Sequence, residues 1–107
     1  MAWTYGGDPA ANSRDTVRFL LGDTDTNDQL VSDAEVAFAT AQTDSTHAAA
    51  AQLAEHLAAK YSRLPDEVTG QQGQKASQLA IAFAALAKRL RSSAATGSAA
   101  GLIFEVL

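Results

Sequence analysis

The stretch Asp15-Thr-Val-Arg18-Phe-Leu-Leu21-Gly22-Asp23-Thr-Asp25, followed a few residues on by Leu30-Val-Ser32-Asp-Ala-Glu35-Val36, decides how this chain folds. Asn12 or Ser13 can cap a helix running to about Leu21, with Asp15 in the first turn, where the macrodipole favours an acid. Val17, Leu20 and Leu21 form its apolar stripe, and Gly22 supplies the left-handed stop. Ser32 and Glu35 then fit a capping box: the serine hydroxyl accepts from the Glu35 N–H while the glutamate reaches back to the Ser32 N–H. Val31 and Val36 stand where a hydrophobic staple would close. The second helix should run to about Gln42.

Working outward, Asp44 or Ser45 can cap a third helix over residues 46 to about 62. Its apolar positions Ala50, Leu53, Ala54, Leu57, Ala58 and Tyr61 follow the i, i+3, i+4, i+7 template. Leu64-Pro65 ends it, because the residue before a proline is pushed out of the α region. Residues 66 to 74 read as a loop. A last helix is expected from about Gly73 to Ser92, with Leu79, Phe83, Leu86 and Leu90 at near-heptad spacing. Ile81, Ala84, Ala85 and Lys88 lie off that stripe and mark a second packing surface.

The two ends differ in kind. Trp3-Thr-Tyr5-Gly-Gly-Asp-Pro9 should be extended and turn-rich, with Trp3 and Tyr5 folding back as anchors on the helices. Ser92-Ser-Ala-Ala-Thr-Gly-Ser-Ala-Ala-Gly101 has the composition of a flexible linker. It leads into an apolar tip of Leu102, Ile103, Phe104, Val106 and Leu107, which would invite aggregation if left free. The tip either returns to its own domain or reaches another chain. The expected architecture is therefore all-α: a bundle of about four helices over residues 1–91, with an extended N-terminus and a flexible C-terminal tail over 92–107.

Length and composition bound the rest. A chain of 107 residues is one domain, near the size where burial alone gives marginal stability. Twenty-four alanines against seven aromatics imply a thin core in which helices approach closely. With no cysteine, a disulfide framework or thiolate metal site is excluded. No signal peptide is visible, and no apolar run approaches the roughly 20 residues that span a bilayer. Residues 1–55 carry nine acids against Arg14 and Arg18, net −7, whereas residues 56–107 carry six bases against three acids, net +3. Such asymmetry permits contact between copies, and the overall net charge of −4 argues against duplex DNA as the main ligand.

Catalytic and metal-binding patterns fail on inspection. Asp23, Asp25 and Asn27 resemble the start of a calcium loop, but the required sixth-position glycine is Asp28 and the twelfth-position glutamate is Ala34. Asp, Thr and Asn are equally the vocabulary of a turn between helices. His47 and His56 are nine residues apart and form no ligand pair. Lys60, Arg63, Lys75, Lys88, Arg89 and Arg91 could line a basic face, with a solvated helix surface the simpler reading. No nucleophile, phosphate-binding or dinucleotide motif occurs. The expectation is a non-enzymatic protein without cofactor or metal.

Residues 3 to about 91 resemble the head-tail connector, or adaptor, proteins of tailed bacteriophages. The resemblance rests on Tyr5-Gly-Gly-Asp-Pro9, the two blocks quoted first, the alanine-rich Ala48 to Lys60 and the closing Leu86-Ala-Lys-Arg-Leu-Arg91. It implies a structural virion protein at the head-tail interface, made in the host cytoplasm and assembled as a ring, commonly dodecameric, under the portal. Such a ring extends the DNA channel without sequence-specific binding and meets a stopper or tail-completion protein on its far side. It implies further that the C-terminal tip, Leu102, Ile103, Phe104, Val106 and Leu107, contacts the portal or a neighbouring subunit. Ser32, Glu35 and Gly22 are framework positions on this reading. The alternative is a prophage-encoded helical DNA-binding or regulatory module. Relatives can carry a hairpin between the third and fourth helices, for which the sequence here shows no obvious strand character.

Overall fold

The computed structural model describes residues 2–65, 68–69 and 74–106, with side chains described for 2–65 and 75–94. It is an all-α bundle of four helices: α1 (Ser13–Leu21), α2 (Asp33–Gln42), α3 (Thr46–Ser62) and α4 (Ala76–Val106). Each of the first three begins at a side-chain cap. Asn12 Oδ1 accepts from Asp15 N at 2.9 Å, Ser32 Oγ from Glu35 N at 3.1 Å and Ser45 Oγ from Ala48 N at 3.0 Å. Glu35 Oε1 completes the capping box by accepting from Ser32 N at 2.8 Å. Val31 and Val36, the staple positions, are both buried.

The end of α1 shows why a glycine stands at position 22. Gly22 N donates to Phe19 O at 3.2 Å and Asp23 N to Arg18 O at 2.9 Å, the paired bonds of a Schellman stop. That closure puts Gly22 at φ 81°, a conformation that L side chains rarely adopt.

Helix α3 is the centre of the molecule, packing against α1, α2 and α4. Ala49, Ala50 and Ala51 are all 0% exposed. Successive residues on a helix are turned by about 100°, so three covered in a row means that more than half the circumference is enclosed. Ala54, Leu53 and Leu57 extend the same core, which Val17, Leu21, Val31, Val36, Ala39, Ala87 and Leu90 complete. Methyl-sized side chains let three neighbours approach one helix at once.

Between α3 and α4 the chain makes a two-rung antiparallel ladder, β1 (Val68–Thr69) with β2 (Gln74–Lys75), paired Val68 to Lys75 and Thr69 to Gln74. This corrects the expectation of a plain loop. Two rungs are too short to leave an alternating apolar pattern in the sequence. Helix α4 starts at Ala76, three residues later than expected, where Gln78 Oε1 accepts from Lys75 N at 3.1 Å in half of a capping box.

The larger correction lies at the other end. Helix α4 continues through Ser92 to Val106, where a flexible linker was expected. Residues 92–101 include four alanines and no proline. Alanine is the best helix former, and a glycine costs about 1 kcal/mol without forbidding the helix. At 1.5 Å per residue, the 31 residues of α4 extend about 46 Å against about 26 Å for the 17 of α3. The side chains of Leu102, Ile103, Phe104, Val106 and Leu107 lie outside the described residues.

Candidate assembly surfaces

Three features could serve function, and the first is internal. Arg18, a charged residue on the apolar side of α1, is 0% exposed. Its Nε donates to Thr4 O at 2.7 Å, Nη1 donates to the Asp23 carboxylate and to Val31 O, the latter at 2.9 Å, and Nη2 donates to Asp33 Oδ1 at 2.7 Å. The Trp3 ring covers the guanidinium at 4.9 Å, a cation–π contact strengthened by exclusion of water. Burying a charge is costly unless it is paired and hydrogen-bonded. Among the described residues no buried side-chain nitrogen or oxygen lacks a partner.

The acids around Arg18 each hold a different piece of backbone. Asp23 is fully buried: Oδ1 accepts from Trp3 Nε1 at 3.0 Å and Leu30 N at 2.9 Å, and Oδ2 from Arg18 and from Val31 N at 3.2 Å. Asp33 accepts from Thr4 N at 2.9 Å and from the Thr4 hydroxyl at 2.7 Å, while its own N–H donates to Ala2 O at 2.8 Å. Asp15, 1% exposed, accepts from Gly6 N at 3.0 Å and Arg14 Nε at 3.1 Å. A Cβ at Gly6 would stand 2.8 Å from Asp15 Oδ2, so any side chain there would push the segment and the carboxylate apart. The N-terminal segment 2–6 is thereby bolted to α1 and α2 without being part of either.

This ionic knot explains residues that the sequence presents as turn chemistry. Both oxygens of Asp23 are committed twice over, so the carboxylate that would open a calcium loop is the anchor of the α1–α2 turn. Among the described residues no group of three acidic, histidine or cysteine side chains is placed to hold a metal ion. The Arg18 hydrogen bond, with the Thr4 hydroxyl next, holds the Asp33 carboxyl below its ordinary range.

The second feature is a groove of about 360 Å³ between α2 and α3, lined by Ala34, Glu35, Phe38, Gln52, Leu53 and His56. Phe38 is 60% exposed beside it. His56 Nε2 lies 3.5 Å from Glu35 Oε2, at the edge of the same groove.

The third is the outer side of α4. Its inner side is fixed on α3 by Tyr61 stacked on Phe83, centroids 5.9 Å apart, and by a two-pronged ion pair from Arg91 to Glu55 at 2.6 and 2.7 Å. That pairing holds the Glu55 carboxyl below its usual range, and burial pushes the Tyr61 hydroxyl up. Outward, Ile81 is 71% exposed, and Ala84, Ala85 and Lys88 are exposed with it. These are the residues that fell off the sequence stripe. Arg91, one of the six bases of the supposed basic face, is committed to Glu55.

Comparison with family models, with curated proteins and with solved structures gives no match, so functional reading rests on this geometry and on the sequence. Gly22, Ser32 and Glu35 occupy the capping positions expected of them. Sequence reasoning missed Arg18. The available signal was an arginine on the same helix face as Val17 and Leu21, with Asp15 three residues before and Asp23 five after. Among the described residues no helix is long and apolar enough to cross a membrane.

Proposed function

We propose that this chain is a structural subunit of a tailed-phage head-tail connector, assembling as a ring under a portal and continuing its DNA channel. The observation that carries the reading is that Arg18, Asp23 and Asp33, all within the segment that resembles the connector signature, form one knot around the buried guanidinium, and that the buried Asp15 of the same segment holds the N-terminal stretch beside it. A signature whose charged members meet in a single framework is support for a shared fold rather than a chance run of turn residues. Exposed Phe19, Phe38 and Ile81 supply apolar surface for neighbours on a small domain. Helix α4, longer than its partner α3, supplies reach toward a protein beyond the ring. The role is structural and non-enzymatic, and DNA is enclosed rather than read.

Electron microscopy of the purified chain mixed with its portal protein tests this. A ring seated on the portal is the expected result, and a chain that leaves portals bare sinks the reading. Removing residues 92–107 should leave the bundle folded, since Leu90 and Arg91 remain, yet abolish portal attachment. Salt-sensitive retention of duplex DNA by the isolated monomer would favour a DNA-binding module instead.

A further inference from the structure

We propose that copies of this chain join head to tail, the Ile81 face of α4 in one copy seating in the α2–α3 groove beside Phe38 of the next. This rests on the ring reading above and adds which two faces meet. Both are unpartnered apolar surfaces on a small domain: Phe38 is 60% and Ile81 71% exposed. Ala84 and Ala85 beside Ile81 carry only methyl groups, so the backbone of α4 can approach an incoming groove closely. The groove, about 360 Å³, has Leu53 and Ala34 among its walls and Glu35 at its rim.

Position within the fold excludes the two faces meeting inside one molecule. Helices α2 and α4 each pack on α3, and no substantial contact joins them to each other. A second molecule is therefore required. Charge decides how it arrives. Helix α2 carries Asp33 and Glu35 and no base, while α4 as far as Ala94 carries Lys88, Arg89 and Arg91 and no acid. A two-fold pairing of α4 on α4 would set a basic helix against a basic one, and α2 on α2 an acidic helix against an acidic one. Only the mixed contact sets basic against acidic. With Arg91 held by Glu55 in its own chain, Lys88, two helical turns from Ile81, is the base placed to meet the Glu35 rim. Because the two faces differ, each added copy leaves one of each open, the arrangement that closes into a ring or runs on as a filament.

Sedimentation velocity on the full chain over a concentration series, with Phe38→Glu, Ile81→Glu and an equimolar mixture, tests this. The unmodified chain is expected to grow past the dimer. Each variant alone should weaken association roughly thirtyfold or more, the loss of a hot-spot side chain. The mixture should form a one-to-one dimer and stop, because it retains one intact groove and one intact α4 face. Circular dichroism melting establishes that each variant is folded, and Phe38→Gln or Ile81→Gln replaces one that is not. Variants that assemble like the unmodified chain, a mixture that stays monomeric, or an unmodified chain that never associates each overturn the proposal. Rings that still form on portals with both variants would overturn this contact while leaving the connector reading standing; bare portals with the unmodified chain would overturn the connector reading itself.

Discussion

Trp3 Nε1 donates to Asp23 Oδ1 at 3.0 Å, a bond across 20 residues that locks the N-terminal segment onto the turn after α1. The acceptor is a buried carboxylate, and hydrogen bonds to charged groups contribute about 1.5–3 kcal/mol. Trp3→Phe keeps a ring over Arg18 but removes the donor. Urea unfolding should show a loss of about 1–2 kcal/mol, and an unchanged midpoint would mean that the segment is not held by this bond.

Arg18 is the keystone of the same arrangement. Removing one partner of a buried ion pair leaves the others uncompensated and costs about 3–5 kcal/mol. Arg18→Ala should therefore lower the melting temperature far more than any single surface substitution, and Arg18→Lys should recover only part, since one ammonium cannot reach Thr4, Val31, Asp23 and Asp33 together. A loss below about 1 kcal/mol for Arg18→Ala would show the knot to be dispensable.

Acid should loosen the molecule in a defined window. The Asp33 carboxyl is held low by Arg18 and Thr4, and the Glu55 carboxyl by Arg91. A group depressed in the folded state contributes its full stability above its unfolded value, near pH 4 for these acids, and loses it as pH falls through the folded value. Thermal melting should thus be nearly flat from pH 7 to about 5 and fall steeply below about 4. Asp33→Asn should be less stable at neutral pH and show a shallower acid slope. An unchanged slope would remove Asp33 from the account.

The caps give a fourth test. Ser32→Ala should cost about 1 kcal/mol through loss of the hydroxyl acceptor, visible as a lower melting temperature. Gly6→Ala should also destabilise, because its Cβ would meet Asp15 Oδ2 at 2.8 Å. If either variant melts with the unmodified chain, the corresponding contact is not formed in solution.

Much of this fold is legible because helix ends are local. Asn12, Gly22, Ser32 and Ser45 each act on backbone within a few residues, so their positions in the sequence nearly determine what they do. Arg18 is illegible for the opposite reason: its partners Thr4, Asp23, Val31 and Asp33 are scattered over 30 residues, and each acid has an innocent local reading as a cap or turn. The two-rung ladder is too short for a periodic signal. The extent of α4 was misread because alanine, serine and glycine describe a linker and a plain helix almost equally well. For the surfaces, Ile81 could be seen leaving its stripe, whereas the exposure of Phe38 needed the placement of α2 on α3.

The run Ala49-Ala50-Ala51, fully enclosed, sets the spacing of the bundle by the size of a methyl group. Enlarging any one of them, Ala50→Leu for instance, would have to displace a neighbouring helix, and with it the separation between the α2 groove and the outer side of α4. The middle of α3 thus acts as a gauge block: a change no larger than a few carbon atoms there would reset the distance between the two faces, and with it, in the head-to-tail contact proposed above, the angle from one copy to the next.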